Sequence, residues 1–140
     1  MKKLGLFFSV IILLSVQSCG KEEDFLPEVL FTYQGSLLNE LSSLQASAGV
    51  VVLPRSSGGV AGLVLYKTYS GRIVAYDRCS TVNPEQLNAV TWVQGSNLVE
   101  DKASGSLFLL EDGSAYKAPA SRPLKEYRVS INGNILTVSN

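Results

Sequence analysis

The residues able to carry chemistry in this sequence are few: two thiols, Cys19 and Cys79, and a scatter of carboxylates, in a 140-residue chain without histidine. The missing imidazole removes Ser-His and Cys-His nucleophilic pairs, an imidazole general base and imidazole metal ligation. Two thiolates fall short of the four that a structural zinc or all-cysteine iron–sulfur site requires. Asp101, with Glu100, Asp112 and backbone carbonyls, offers a hard cation one or two carboxylates, which makes only a weak calcium site. Zinc would find Cys79 and Asp101 and little else. The simpler reading of Asp101-Lys102 is a solvated turn, and Asp112-Gly113 reads as another. No two carboxylates are spaced as an acid–base pair. The residue types therefore predict no catalytic residue, no bound metal and no enzymatic activity. With 12 basic and 12 acidic residues, the chain also lacks the positive field of a nucleic-acid binder.

Three further groups bear weighing. Cys79 is either a solvent-facing redox thiol beside Arg78 or a small buried hydrophobe where a loop leaves a strand. With no resolving cysteine, burial is the expectation. Trp92 with Tyr66, Tyr69, Tyr76 or Tyr116 would make a sugar-stacking platform, although strand aromatics ordinarily serve as core or cross-strand packing. Arg122 and Lys125, beside Pro123, are expected to pair with Asp or Glu or to stay solvated rather than to meet an anionic partner.

The first 18 residues stand apart from the fold. Lys2 and Lys3 precede the uncharged apolar run Leu4 to Val16, which is too short to span a bilayer, since a helix needs roughly 20 residues for that. The run ends in Ser15-Val16-Gln17-Ser18-Cys19-Gly20 and resembles a bacterial lipoprotein signal. That resemblance implies that Cys19 is diacylated and becomes the mature N-terminus, anchored in the bilayer by more than one acyl chain. Residues 19–26 then form a lipidated cysteine and acidic tether. Within it Cys19-Gly20-Lys21-Glu22-Glu23-Asp24 is similar to the signal that sends lipoproteins of the Bacteroidetes group to the cell surface, or is simply a polar spacer. The expected location is the outer membrane, facing either the cell surface or the periplasm. Losing Lys2 and Lys3 leaves 10 basic residues against 12 acidic, and lipidating Cys19 leaves Cys79 without a disulfide partner. A domain of about 115 residues, 27–140, must hold together by its core alone.

The pattern beyond Pro27 is that of short strands and turns. Ala48 to Leu53, Val60 to Tyr66 and Ile73 to Tyr76 read as strands, as do Val90 to Val93, Asn97 to Glu100 and Leu107 to Leu110. Tyr127 to Ile131 and Ile135 to Val138 alternate with period two around Asn132-Gly133-Asn134, predicting a hairpin with a type I′ turn. The one helix candidate is Leu37 to Leu44, whose leucines at 37, 38, 41 and 44 share a face, and an alternating strand fits nearly as well. Short strands with Gly-rich turns argue for an all-β sandwich or barrel.

Three blocks carry a more particular resemblance. Gly58-Gly59-Val60-Ala61-Gly62 and Ala75-Tyr76-Asp77-Arg78-Cys79-Ser80 are similar to the approach to the first ligand loop of a Rieske iron–sulfur domain. Gly105-Ser106-Leu107-Phe108-Leu109-Leu110-Glu111-Asp112-Gly113-Ser114 resembles the stretch after its second ligand loop. Ala118-Pro119-Ala120-Ser121-Arg122-Pro123-Leu124-Lys125-Glu126-Tyr127 resembles its proline loop and closing strand. The resemblance implies a Rieske-like small antiparallel sandwich of stacked sheets with a ligand-loop subregion. It also implies a [2Fe–2S] cluster held by Cys-x-His and Cys-x-x-His. Against that pattern Cys79 keeps the first thiolate, Thr81 stands at the first histidine, Asp101 at the second cysteine and Ser104 at the second histidine. Hydroxyls and a carboxylate are poor donors to soft, sulfide-bridged iron. The expectation is a Rieske-like fold without its cofactor, serving as an envelope binding or accessory module for a protein or glycan partner. The alternatives are a Rieske-type [2Fe–2S] electron carrier with atypical ligation and a surface glycan-binding module.

Overall fold

The computed structural model describes residues 25–140, so the leader and the Cys19 anchor lie outside the described residues. Ten strands follow in chain order: β1 (Thr32–Ser36), β2 (Val50–Leu53), β3 (Leu63–Lys67), β4 (Ile73–Asp77), β5 (Thr91–Trp92), β6 (Leu98–Asp101), β7 (Ser106–Leu109), β8 (Ala115–Lys117), β9 (Glu126–Asn132) and β10 (Ile135–Ser139). They form a six-stranded sheet in the order β1-β10-β9-β4-β3-β2 and a four-stranded sheet in the order β5-β6-β7-β8. Every pairing is antiparallel. The all-β expectation holds.

The near-continuous apolar runs of β3 and β4 have a simple cause: both strands are buried on both faces. Leu63, Leu65 and Ala75 pack with Leu41, Leu44, Tyr127, Leu136 and Val138. The alternate residues Val64, Tyr66, Val74 and Tyr76 pack instead with Val99 of β6, Phe108 of β7, Leu110 and Leu124. Fully burying one such side chain contributes about 1.5–3 kcal/mol. These two clusters take the place of a staple, since Cys79 is a free, buried thiol.

Two core hydroxyls, those of Tyr66 and Tyr76, are not satisfied among the described residues. The Tyr76 hydroxyl is buried with no hydrogen-bond partner among the described residues, so it bears the cost of leaving water without compensation. Tyr76→Phe removes that cost while keeping the ring. The variant should unfold at a higher urea concentration than the parent, by an amount equivalent to about 1 kcal/mol.

The helix candidate at 37–44 does not form. Residues 37–41 are a turn that leaves β1, with Asn39 and Leu41 both donating to the Ser36 carbonyl, and a 3-10 turn follows at Ser42–Gln45. Its leucines are spent differently from a helical stripe: Leu41 and Leu44 plug the first cluster, whereas Leu38 is 60% exposed. The β9–β10 hairpin is present with Ile135 opposite Asn132. Of its two central residues only Gly133 has positive φ, at 59°, which is the requirement of a type II′ turn rather than type I′. The strand expected from Val60 begins at Leu63 because residues 60–62 turn around a buried carboxylate described below. There Gly62 has φ of 105°, and a Cβ on it would lie 2.5 Å from the Leu53 carbonyl oxygen. Finally, Leu26, assigned to the tether, is buried with Val60, Ala61 and Cys79. Packing of the domain thus reaches back past Pro27.

Candidate functional site

Three loops meet at one end of the molecule: residues 78–90 between β4 and β5, 102–105 between β6 and β7, and 118–125 between β8 and β9. Asp77, the last residue of β4, anchors them from below. It is fully buried. One carboxylate oxygen accepts from the Val60 amide at 2.5 Å and the Tyr127 hydroxyl at 2.7 Å. The other accepts from the amides of Ala61 at 3.1 Å and Cys79 at 2.7 Å. All four lone-pair directions are used, and the carboxylate ties the 60–62 turn, the first loop and β9 together. The stem of the first loop is then held by Cys79 bridging Ala89 and by the Ser80 amide donating to Asn88.

Above this platform sits a second buried carboxylate. Asp101, at the end of β6, is 1% exposed, which corrects its reading as part of a solvated turn. Its Oδ2 accepts hydrogen bonds from the hydroxyls of Ser80 and Ser104, each at 2.7 Å, and its Oδ1 accepts from the Ala103 amide at 2.9 Å. Burial alone would push its pKa up. The Ser80 and Ser104 hydroxyls, with the amides of Ala103 and Ser104, outweigh that effect and hold it below the ordinary carboxylate value. The neighbouring Lys102 pairs with Glu100 at 2.9 Å on the surface, where such a bridge is worth little. The third loop is tied in by two bonds to the others. Thr81 donates to the Arg122 carbonyl at 2.8 Å, and the Ala120 amide donates to the Ser106 hydroxyl at 3.0 Å.

Of the four positions expected to converge, Asp101 and Ser104 are in direct contact and Thr81 is drawn to the third loop. Cys79 packs among Leu26, Val60 and Ala61, with its Sγ 3.8 Å from the carbonyls of Ser80 and Pro84. Burial first, and then the Asp77 charge, push this thiol up to about 11. It is therefore neutral at physiological pH and a poor nucleophile or ligand. Accordingly, the folded protein should leave Cys79 unreacted with iodoacetamide at pH 8 over hours, and the denatured chain should be alkylated there within minutes, as read by peptide mass spectrometry. Rapid labelling of the folded state would refute the burial assignment.

The packing role expected of the strand aromatics holds for Tyr66, Tyr76 and Trp92. The five aromatics do not make a platform: Tyr66 and Tyr76 are core residues, and Trp92 is half-buried with its indole N–H bonded to the Ser96 carbonyl at 2.8 Å. Tyr69 and Tyr116 are exposed. Arg122, which is exposed, lies over the Phe25 ring, 5.5 Å from its centroid, and Lys125 over the Tyr127 ring at 5.8 Å, both cation–π contacts. Asp112 behaves as read, capping its own turn by accepting from the Ser114 amide and hydroxyl. Sequence reasoning overlooked Ser80, Ser106 and Asp77. Asp101-x-x-Ser104-x-Ser106 carried a local hint, since short polar side chains at such spacing bond within turns. The Ser80–Asp101 contact spans 21 positions and left no local trace.

Between the first and second loops and Pro119 lies a cavity of about 300 Å³, bordered by Asn83, Gln86, Asn88, Asp101 and Ser104. No group of three or more His, Cys, Asp or Glu among the described residues is arranged to hold a metal ion.

No protein-family model matches the chain, and no curated protein does. Among solved structures, the fold is similar to the cyanobacterial plasma membrane Rieske protein PetC3 from Synechocystis PCC 6803. The match has 21% identity and a TM-score of 0.57, covering 81% of this chain and 100% of that one. A ferredoxin from Sphingomonas yanoikuyae B1 matches at 20% identity and a TM-score of 0.49, covering 68% of this chain and 88% of that one. The fold is Rieske-like. The residues present do not fit the cluster that such a fold implies. Two hydroxyls, a carboxylate already accepting three hydrogen bonds and a neutral buried thiol are a poor donor set for sulfide-bridged iron.

Proposed function

We propose that this protein is a lipid-anchored, Rieske-fold module of the cell envelope that has lost its iron–sulfur cluster and acts by binding, not by electron transfer or catalysis. The observation that supports the reading is the Ser80–Asp101–Ser104 network. It joins the two loops through the Ser80–Asp101 hydrogen bond and ties Asp101 to Ser104, two of the positions that match cluster ligands. A protein that kept the loops but closed them on each other has kept a scaffold and given up the redox centre.

The anchor enters the reading through Cys19. Six positions separate it from Phe25, which is packed under Arg122 of the third loop. At about 3.3–3.6 Å per residue the tether reaches no more than roughly 22 Å. An acylated Cys19 would therefore keep the loop end of the domain close to the bilayer, as suits an accessory module serving a membrane-proximal partner. The test pairs two readouts on the full chain expressed in a bacterial host. Labelled palmitate should enter the parent and not Cys19→Ala, and the dithionite-reduced parent should give no iron–sulfur signal by electron paramagnetic resonance. Unlabelled parent protein would overturn the anchor, and a Rieske-type resonance would overturn the cluster-free reading.

A further inference from the structure

The cavity at the loop end has a lining whose chemistry is selective. Asn83, Gln86 and Asn88 border it from the first loop, and Ser104 from the second. Each carboxamide carries two donor hydrogens and an acceptor oxygen. The Asn88 amide donates to Gln86 Oε1 at 3.2 Å, which leaves the Gln86 amino group and the Asn88 carbonyl for a ligand. No lysine or arginine is among the bordering residues. Asp101 places a full negative charge beneath the cavity, and no described lysine or arginine forms an ion pair with it. Anions such as phosphate or carboxylate are thereby disfavoured. Val82, Ala103 and Pro119 add apolar surface, suited to the C–H face of a ring. At about 300 Å³ the cavity lies at the small end of ligand pockets.

The backbone beneath this lining is strained. Asn83 and Leu87, which flank the 3-10 turn Pro84–Gln86, are both left-handed, with φ of 48° and 54°. Asparagine tolerates that conformation, whereas leucine visits it at a cost. Strain kept at the rim of a pocket is a common mark of a site under constraint.

We infer that the carboxamide-lined cavity between the first and second loops binds a small neutral polyol, about one sugar ring in size. Alternating amide donors and acceptors match vicinal hydroxyls, the apolar border takes the ring's carbon face, and the Asp101 charge excludes anionic analogues. Asp101 acts here as a positioning residue, holding the Ser104 hydroxyl at the border. The inference rests on the cluster-free reading of the loops.

The test is a titration of the ¹⁵N-labelled protein with neutral hexoses and hexitols, followed through the backbone and side-chain amide resonances. Saturable shifts are expected at the side chains of Asn83, Gln86 and Asn88, with affinity lowered at least tenfold in Gln86→Ala and in Asn88→Ala. Gln86 is exposed and Asn88 half-buried in the same loop, and both substitutions should leave the remaining spectrum unchanged. If one variant alters the spectrum globally, the other carries the comparison. The inference is overturned if no sugar or hexitol gives a saturable shift, or if shifts map to Tyr69 and Tyr116 instead. It is overturned equally if calcium or tetramethylammonium alone produces the response, or if neither variant weakens it. Iron content measured on the same sample separates the two layers. Iron-free, unresponsive protein refutes the polyol site alone, whereas iron-loaded protein refutes the reading beneath it.

Discussion

Replacing Asp77 with alanine should lower the urea midpoint of unfolding by roughly 2 M, the largest loss expected from a single substitution outside the apolar core. The reason is the number of donors stranded. Three backbone amides, those of Val60, Ala61 and Cys79, and the Tyr127 hydroxyl all donate to this one buried carboxylate. Each buried donor left without an acceptor costs about 1–3 kcal/mol, and such losses are not fully additive. A total near 4 kcal/mol, divided by a urea slope of about 2 kcal/mol/M, gives the midpoint shift. Against a net stability of about 5–15 kcal/mol the variant is a marginal fold. Asp77→Asn keeps one acceptor oxygen but turns an amino group toward amides that also donate, so it should fall about midway. A midpoint within 0.5 M of the parent for Asp77→Ala would show that the four bonds do not act together (this threshold is about a quarter of the predicted loss).

Asp101→Ala should cost about 2–3 kcal/mol and, unlike Asp77→Ala, should loosen the loop end while sparing the sheets. It strands the Ser80 and Ser104 hydroxyls and the Ala103 amide, of which the hydroxyls can rotate toward other partners. Amide exchange is the discriminating readout, with protection falling in loops 78–90 and 102–105 and surviving in β3 and β4. The same carboxylate gives a pH signature. Its pKa is held below the ordinary value of 3.8 in the folded chain, so at acid pH the unfolded state binds the extra proton. Its contribution to stability is then complete above the unfolded value and is lost as pH falls through the folded one. Asp101→Asn should therefore flatten the stability profile below about pH 4, and an unchanged acid limb would contradict the assignment.

Which parts of this were legible in the sequence follows from where the information sits. The β9–β10 hairpin and the doubly buried β3 and β4 could be read because their signal is local, a period of two in one case and an unbroken apolar run in the other. Strands β1 and β8 escaped notice because both are edge strands, with exposed residues at Thr32, Gln34, Tyr116 and Lys117 and hence no clean apolar pattern. The leucines from 37 to 44 looked helical because spacing alone cannot tell a stripe from two plugs separated by a tight turn. At the loop end, Asp101 and Ser104 were marked by resemblance to a ligand pattern, yet their partner Ser80 was not. The burial of Asp101 is created by loops meeting in space, and nothing in Glu100-Asp101-Lys102 announces it. Asp77 stands in the sequence only as part of the approach to a ligand loop, because a carboxylate reveals its worth only through the donors that fold around it.

The measurement that bears most directly on the account is quantitation of iron and inorganic sulfide per chain in protein purified without oxygen. Closure of the loops by Ser80, Asp101 and Ser104, with Cys79 neutral in an apolar cluster, predicts background levels of both. Iron and sulfide in matched, stoichiometric amounts would contradict it.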